Sequence, residues 1–440
     1  MAGKVPPHDQ NAEQSVLGAI LIDPSAMSMV IEILNADSFY FDSHKKLFTA
    51  MLSLFEKHQP IDLVTISSEL KDLGHLKAIG GTDFIAELID KVPTSAHIEQ
   101  YARIVKSDAI KRTLITTASR LVEKAFDEGA EIKSLLNLAE SEIFALSQAY
   151  LHRDFIELRS ILAESFDRLE KLVKEGAGIR GLSTGFEDLD RKLAGMHDSN
   201  LLILAARPGV GKTTMALNIA LHVAMHDRAP VGIFSLEMSQ EELVDRLLVG
   251  QADIDAWRLK TGKLTDDDYT RITEAMGDLS EAPIYIDDTP GASVLDMHTK
   301  ARKLKLEKGL KFLIVDYLQL VDPGKRIEGR VQEVSFISQQ LKNIARELKI
   351  PVMALSQLSR AVEHRGEKKP QLADLRDSGS IEQDSDVVMF IYSEKAHEEL
   401  LDETMRPVKL YIAKHRNGPT GEIDLMFRGD RVKFYGVEQR

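Results

Sequence analysis

The sequence lacks cysteine, and it also lacks the long apolar segments of membrane proteins. Without cysteine, disulfides and cysteine-ligated metal centres are excluded. No apolar run approaches the roughly 20 residues that span a bilayer, so no membrane-spanning helix is expected. The N-terminal stretch MAGKVPPHDQNAEQ lacks the apolar core of a secretion signal. Together these absences favour the reducing cytoplasm as the location of the protein.

An excess of positive charge is also missing, because the formal net charge is −13. This acidity argues against a polyanion-binding coat over the whole surface. It leaves room for a local basic lining, repeated around a ring, that binds a nucleic-acid strand. The chain has 440 residues and 43% hydrophobic content, which predicts two or three soluble domains.

Helical periodicity dominates residues 1–150. In AEQSVLGAILI the apolar residues Val16, Leu17, Ile20 and Leu21 share one face of a helix. The stretches SHKKLFTAMLSLFEKH and EIKSLLNLAESEIFALSQAY show similar patterns. We therefore predict an all-helical N-terminal domain that serves in packing or docking and carries no catalytic constellation.

Residues 151–180 are predicted to form a linker that contains an amphipathic helix. In SILAESFDRLEKLVKE the apolar residues Leu162, Phe166, Leu169 and Val173 recur every three or four positions among charged residues. This narrow stripe suits a helix that lies against a partner surface, but a helix packed on its own domain would show the same pattern. The Gly-rich stretch that follows is typical of an exposed linker.

Residues 181–440 alternate short apolar runs with helical segments, which predicts a mainly parallel sheet covered on both faces. A ligand of such a doubly wound α/β domain is expected at the carboxyl ends of the strands. The runs are LLILAA, PVGIFSLE, APIYIDD, KFLIVDYLQL, IPVMALSQ, DVVMFIYS and PVKLYIAK.

The stretch ARPGVGKT follows the first of these runs and has the spacing of a phosphate-binding loop, with Ala206 in place of the usual first glycine. Gly209 and Gly211 permit a backbone that turns its N–H groups around phosphate oxygens. Lys212 is placed for the outer phosphates and the Thr213 hydroxyl for Mg²⁺. A glycine turn before an ordinary helix is the simpler alternative. The predicted triphosphate-binding residues are Arg207, Pro208, Gly209, Val210, Gly211, Lys212, Thr213 and Thr214.

Three further strand ends carry polar residues suited to the same site. Asp316 ends FLIVD and is placed to support Mg²⁺. Since Tyr317 follows it, a catalytic base must come from elsewhere, and Glu237 at the end of VGIFSLE is suitably placed to orient a water. Gln357 ends VMALSQ and could detect the γ-phosphate. Each has a plainer interpretation: a polar strand end, or for Glu237 the favourable position of an acid at a helix start.

Taken together in order, these motifs closely resemble those of the bacterial replicative DNA helicases of the DnaB family. The resemblance covers nearly the whole chain. It implies a RecA-like ATPase domain, ATP with Mg²⁺, and a homohexameric ring that moves 5′→3′ on single-stranded DNA. It also implies a DnaG-type primase and a helicase loader as partners. The matching stretches are PPHDQNAEQSVLGAILIDPSAM, GLSTGFEDLDRKLAG, AARPGVGKTTMALNIA, FSLEMS, FLIVDYLQL, ALSQLSR, LRDSGSIEQDSDVVMF and IAKHRNGPTGEIDLMF.

The resemblance also implies roles for individual residues. Glu237 matches the catalytic base, Gln357 the γ-phosphate sensor, and Arg246 an arginine that orients one of these two. Lys414 and Arg416 in AKHRNG match a pair that reaches the nucleotide of a neighbouring subunit. The family often has Ser and a bulkier residue at the positions of Gly209 and Val210, a departure that should leave phosphate geometry intact.

The resemblance implies that one loop faces DNA, and the basic residues of a second loop make it a further candidate. In LRDSGSIEQDSD, the positions of Arg376, Asp377 and Gly379 match those that contact a DNA phosphate. The Asp377 contact would have to be made by its backbone N–H, since a carboxylate repels phosphate. The loop DPGKRIEGRVQE either lines the channel as well or is simply exposed. Its basic residues are Lys325, Arg326 and Arg330.

Two other functions remain compatible with the motifs. A recombination or branch-migration motor would form filaments or carry a different accessory domain. A nucleotide-gated scaffold would recruit other proteins without unwinding, and the base, sensor and trans-acting arginine count against it.

Overall fold

The structure is a computed structural model. The structure describes residues 5–92, 97–127, 180–324, 326–359, 369–375, 379–394 and 405–437, with isolated positions between 129 and 166 and at 362. It divides into two compact units, Met1–Leu162 and Ala163–Arg440. No helix among the described residues is long and apolar enough to cross a membrane.

The first unit is helical, as predicted. Its α-helices are α1 (Gln10–Ile22), α2 (Met27–Ile33), α3 (Asp42–Glu56), α4 (Leu63–Asp72), α5 (Gly81–Lys91) and α6 (Ile98–Ala125), with 3₁₀ turns at Pro24–Ala26 and Ala36–Ser38. Asp9 starts α1 by accepting a hydrogen bond from the Ala12 N–H at 3.0 Å. The buried Glu13 carboxylate accepts hydrogen bonds from Tyr40 N at 2.6 Å and His44 Nδ1 at 2.7 Å, which ties α1 to the start of α3.

The predicted linker 151–180 lies almost entirely outside the described residues. Of its apolar stripe, Leu169 and Val173 are not described, whereas Leu162 and Phe166 are 57% and 69% exposed. The surface that this stripe contacts therefore stays a prediction.

The second unit contains a nine-stranded sheet with helices on both faces. Its strands are β1 (Leu201–Ala206), β2 (Val231–Ser235), β3 (Ile284–Asp287), β4 (Phe312–Asp316), β5 (Val352–Gln357), β6 (Val387–Tyr392), β7 (Arg406–His415), β8 (Gly421–Arg428) and β9 (Lys433–Gly436). Its α-helices are α7 (Glu187–Leu193), α8 (Lys212–Met225), α9 (Gln240–Ala252), α10 (Ala256–Thr261), α11 (Asp266–Glu281), α12 (Val294–Lys308), α13 (Arg330–Leu348) and α14 (Gly379–Asp384). Short 3₁₀ turns lie at Leu318–Leu320, Leu372–Asp374 and Gly429–Arg431.

The strand order is β3-β2-β4-β5-β1-β6-β7-β8-β9, and the first six strands are parallel. This confirms the mostly parallel α/β prediction. Strand β7, predicted only as an apolar run, pairs antiparallel with β6, and β8 and β9 continue antiparallel. Side chains of successive residues in the central strands alternate between two hydrophobic cores, one on each face. The carboxyl ends of β1, β2, β4 and β5 thus meet at one edge of the sheet.

Candidate nucleotide site

The phosphate-binding loop lies between the carboxyl end of β1 and the start of α8. Gly209 and Gly211 have φ angles of +80° and +102°, in the left-handed region that glycine tolerates. Gly211 is also the residue that precedes the first turn of α8. The loop therefore presents a helix N-terminus, with its unpaired N–H groups, to an anion.

Oxygen and nitrogen atoms converge on the buried Asp316 at the end of β4. The Thr213 hydroxyl donates to Asp316 Oδ2 at 2.6 Å, and Lys212 Nζ lies 3.3 Å from Oδ1. Apart from that ammonium, Oδ1 has no hydrogen-bond partner in the described part of the chain. A hydroxyl and a carboxylate are hard oxygen donors, the kind that Mg²⁺ prefers. The donor set, with an Asp316 Oδ1 that accepts no hydrogen bond among the described residues, fits this ion.

Glu237 lies in the turn between β2 and α9. The Ser235 hydroxyl donates to the Met238 carbonyl at 2.6 Å, and Leu236 N donates to the Asp316 carbonyl at 2.6 Å. Glu237 Oε2 is then 3.9 Å from Lys212 Nζ, and its side chain is about half-exposed. Because α9 begins only at Gln240, with Ser239 as its cap, Glu237 is not an acid of the first helical turn. The turn instead holds its carboxylate beside the phosphate loop.

Gln357 ends β5 directly opposite Ala206, the last residue of β1. The next residue, Leu358, donates its N–H to the Ala206 carbonyl at 3.1 Å, and Arg207 Nη1 donates to the Leu358 carbonyl at 2.9 Å. Leu358 also forms a β-bridge with Leu375. The end of β5 is thus joined both to the phosphate loop and to the segment that leads to residue 376.

Lys212, Thr213, Glu237 and Gln357 line one cleft of about 320 Å³, whereas Asp316 and Val210 are not among its lining residues. It contains all the predicted catalytic residues of this edge, together with Met238 and Phe427, which the sequence reasoning missed. The alternation of apolar residues in GEIDLMFR was the only sequence signal for Phe427. The lining residues are Ala206, Arg207, Pro208, Gly209, Gly211, Lys212, Thr213, Thr214, Glu237, Met238, Arg246, Gln357 and Phe427.

The cleft also affects the ionisation of Tyr317, whose ring lies under Lys212 with Nζ 4.4 Å from the ring centroid. Burial raises the pKa of the Tyr317 phenol, and the negative charge of Glu237 raises it further. Tyr317 therefore stays neutral. It offers its ring to the Lys212 ammonium and does not act as the missing base.

Lys414 and Arg416 lie at the opposite edge of the sheet. His415 and Lys414 pair with Val387 and Val388 at the amino end of β6, whereas the phosphate loop follows the carboxyl end of β1. Lys414 Nζ donates to the Glu382 carbonyl and, at 2.8 Å, to the Ser385 carbonyl. Burial lowers the pKa of Lys414, and the neighbouring Arg416 charge lowers it further. This pair is thus remote from the nucleotide cleft of its own chain.

Of the six residues implied to face DNA, three lie outside the described residues: Lys325, Arg376 and Asp377. Gly379 is exposed and begins α14. Arg326 is exposed, and Arg330 begins α13. The Arg330 guanidinium donates to Glu333 at 2.8 Å and also to the Gln319 carbonyl. The structure therefore connects this arginine to the turn after Asp316.

Comparison with known proteins adds independent findings. The family model for the DnaB-like helicase C terminal domain matches residues 181–436, and that for the DnaB-like helicase N terminal domain matches residues 5–107. The chain is 44% identical over 438 residues to the replicative DNA helicase DnaC of Bacillus subtilis (strain 168). It is 45% identical over 438 residues to the replicative DNA helicase DnaB of Geobacillus stearothermophilus. Each match covers 99% of this chain and 96% of the relative.

A solved structure supports the same grouping. It is described as a DnaB-like replicative helicase and its interactions with primase, with a TM-score of 0.80 and 32% identity. The match covers 98% of this chain and all of that one.

Proposed function

This chain belongs to the family of DnaB-like replicative DNA helicases, and we propose that it unwinds DNA with ATP bound at sites completed by two copies of the chain. The family membership confirms the prediction of an ATP-hydrolysing replicative helicase. Homohexameric rings that translocate 5′→3′ are the behaviour of this family, and a ring of six copies around single-stranded DNA is our proposal for this chain.

Within the cleft, Lys212 and the N–H groups of the loop bind the phosphates of ATP. Thr213 and Asp316 would hold Mg²⁺, which would neutralise negative charge on the phosphates of ATP. Lys212 Nζ lies 3.3 Å from Asp316 Oδ1 and 3.9 Å from Glu237 Oε2, and its ammonium would exchange these carboxylates for phosphate oxygens when ATP binds.

For hydrolysis, Glu237 orients the attacking water and accepts its proton. Arg246 lines the same cleft and orients Glu237 or Gln357. Gln357 faces the γ-phosphate from the end of β5. Leu358 bridges to Leu375, so a shift at Gln357 would be passed to Leu375. The segment that follows contains the proposed DNA-contacting residues Arg376, Asp377 and Gly379. Lys325, Arg326 and Arg330, in the segment that leads into α13, are the proposed second DNA-facing surface, and the alternative is that this segment is simply exposed.

The position of Lys414 and Arg416 is the observation that carries the two-copy proposal. Both lie at the edge of the sheet opposite the phosphate loop, so they cannot serve the nucleotide of their own chain. In a ring they reach the ATP of the next subunit and place positive charge on the transition-state phosphates. Hydrolysis then depends on how neighbours dock, which ties ATP turnover to movement along the strand.

We assign residues 1–150 to a helical collar, 151–180 to a linker and 181–440 to the ATPase domain. The collar is the proposed docking site for a DnaG-type primase, and a helicase loader is a second proposed partner. The solved relative that is described with its interactions with primase supports a primase as a partner, whereas the collar as the docking site rests on the family resemblance. The proposed place of action is the cytoplasm.

The decisive experiment compares ATP-dependent unwinding of forks with two unpaired tails, in which either only the 5′ tail or only the 3′ tail is left unblocked for the ring. A 5′→3′ motor that excludes one strand unwinds the first and leaves the second. Equal unwinding of both, or none with ATP and Mg²⁺ present, would contradict the proposed polarity or the motor itself. Native mass measurement of the same sample tests the ring.

A further inference from the structure

Asp386 is a buried carboxylate at the amino edge of the sheet, on the side opposite the nucleotide cleft, and only 4% of its surface is exposed. Its Oδ2 accepts hydrogen bonds from Leu201 N at 2.8 Å and from Lys342 Nζ at 2.5 Å. These two bonds tie the carboxylate to the first residue of β1 and to α13. A carboxylate held this way has little freedom to rotate, so its second oxygen has a fixed place.

That second oxygen faces Arg416. Asp386 Oδ1 lies 3.3 Å from Arg416 Nη1, and Arg416 N donates to the Asp386 carbonyl at 2.8 Å. The guanidinium also donates to the Gln383 carbonyl at 3.3 Å, yet the side chain is 52% exposed. The backbone and the side chain of Arg416 thus both donate hydrogen bonds to Asp386, while much of the guanidinium is accessible to a second chain.

We propose that Asp386 is a positioning residue that orients Arg416 toward the nucleotide of the neighbouring subunit. This inference rests on the proposed two-copy site. It identifies Asp386 as the residue that sets the direction of the Arg416 side chain in that site. The Lys342 ammonium already pairs with Oδ2, and the Arg416 contact is single and long compared with a bidentate pair. The contact therefore directs Arg416 without holding all of its donors.

The test uses mixed rings of full-length subunits. We expect Asp386→Asn to lower the kcat of DNA-stimulated ATP hydrolysis about ten-fold, with little change in the KM for ATP and with the ring intact. Its own cleft remains complete. The Lys212→Ala subunit cannot hydrolyse ATP in its own cleft, but its Arg416 is correctly placed. In mixed rings it should therefore restore turnover in the cleft of a neighbouring Asp386→Asn subunit.

Two reference samples make the outcomes distinct. A mixture of Arg416→Ala and Lys212→Ala should restore turnover if sites are completed in trans. If it does not, the two-copy proposal is wrong. If it does while the Asp386→Asn mixture shows no gain over the average of its two variants measured separately, Asp386 acts only within its own subunit and the present inference is overturned.

Asp384→Asn is the charge-matched control, because Asp384 lies two residues away and is not among the groups bonded to Arg416 in the described structure. It should keep nearly full turnover. Should Asp386→Asn fail to assemble because Lys342 loses its partner, the double variant Asp386→Asn/Lys342→Met removes both buried charges. The same mixture is then run with the double variant, and the same two results support or overturn the inference.

Discussion

Single residues of the nucleotide cleft are held by contacts with other parts of the second unit. Asp316 is bonded by Thr213, approached by Lys212, and fixed through its carbonyl to the turn that carries Glu237. A buried carboxylate is costly unless it is paired, so these partners stabilise it. The same atoms are those that bind phosphate and metal in the proposed function.

The Glu237→Gln variant tests the assignment of the base. Since Glu237 is half-exposed and 3.9 Å from Lys212, the isosteric amide should leave ATP binding within a few-fold of wild type. Hydrolysis should fall by at least about 10²-fold, the usual contribution of a general base. Equilibrium binding and steady-state turnover measure the two effects separately. Glu241→Gln, on the first turn of α9, is the matched control, and normal turnover by Glu237→Gln would place the base elsewhere.

The Gly211→Ala variant tests the backbone of the phosphate loop. Its φ of +102° is unfavourable for alanine, and the new Cβ would lie 2.8 Å from Phe434 Cζ. Gly262→Ala is the control: its φ is +68° and nothing lies within 4 Å of the added Cβ. We expect the control to lose about 1 kcal/mol of unfolding free energy and keep nucleotide binding. Gly211→Ala should lose more stability and also binding, measured with a fluorescent nucleotide; equal behaviour of the two would contradict the role of the close contact.

At the scale of elements, the antiparallel strands at the end of the sheet are held by a network around Glu422. Its carboxylate pairs with Lys369 Nζ at 2.6 Å and Lys409 Nζ at 3.2 Å, and accepts from the Tyr392 hydroxyl at 3.1 Å. These donors lower the pKa of Glu422 to about 2, with the Lys369 hydrogen bond as the largest cause. The network joins β6, β7 and β8 to the segment before α14.

This network predicts a pH-dependent stability difference. A pKa that folding lowers from 4.5 to about 2 stabilises the folded chain above pH 4.5, and the effect disappears as the pH falls toward 2. Glu422→Gln should therefore cost roughly 1 kcal/mol at neutral pH, allowing for partial exposure. The difference from wild type should shrink as the pH falls below 4.5. Denaturant unfolding at several pH values measures it, and a difference independent of pH would contradict the ionic explanation.

At the scale of the whole molecule, an acidic protein is proposed to hold a polyanion in the centre of a ring. The net charge of −13 requires that the basic residues be concentrated where the strand passes. Contacts to phosphates do not distinguish bases. Binding should therefore depend on salt and not on sequence.

Measuring the affinity for oligonucleotides over a range of salt concentrations tests this. The logarithm of the association constant should fall linearly with the logarithm of the salt concentration, by about 0.7 for each phosphate contact on a single strand. Arg330→Ala should reduce that slope if the second loop lines the channel. Glu328→Gln, which removes a charge of opposite sign from the same loop, should not reduce it. An unchanged slope in Arg330→Ala would mean that the loop is simply exposed.

Short-range patterns in the sequence determined the parallel strands, the phosphate loop and the family of this protein. Apolar runs of five or six residues predicted the parallel strands, because a buried strand has no polar side chains to place. The spacing of GKT after such a run predicted the phosphate loop and α8. The motifs and their order predicted the family, because both can be read from the sequence without knowing which residues are in contact. The antiparallel strands β8 and β9 were missed because their pairing is set by register and not by composition.

Only the tertiary structure decided which distant residues meet. Glu237, Gln357 and Phe427 line one cleft because the ends of separate strands converge at one edge, and Arg246 reaches the same cleft from α9. Each position alone has an ordinary interpretation. The same applies to Asp386 and Arg416, which pairing of β6 with β7 brings together across 30 residues of sequence. Spacing along a chain encodes local geometry, whereas contacts between distant segments depend on sheet order, register and burial, which the whole fold must settle at once.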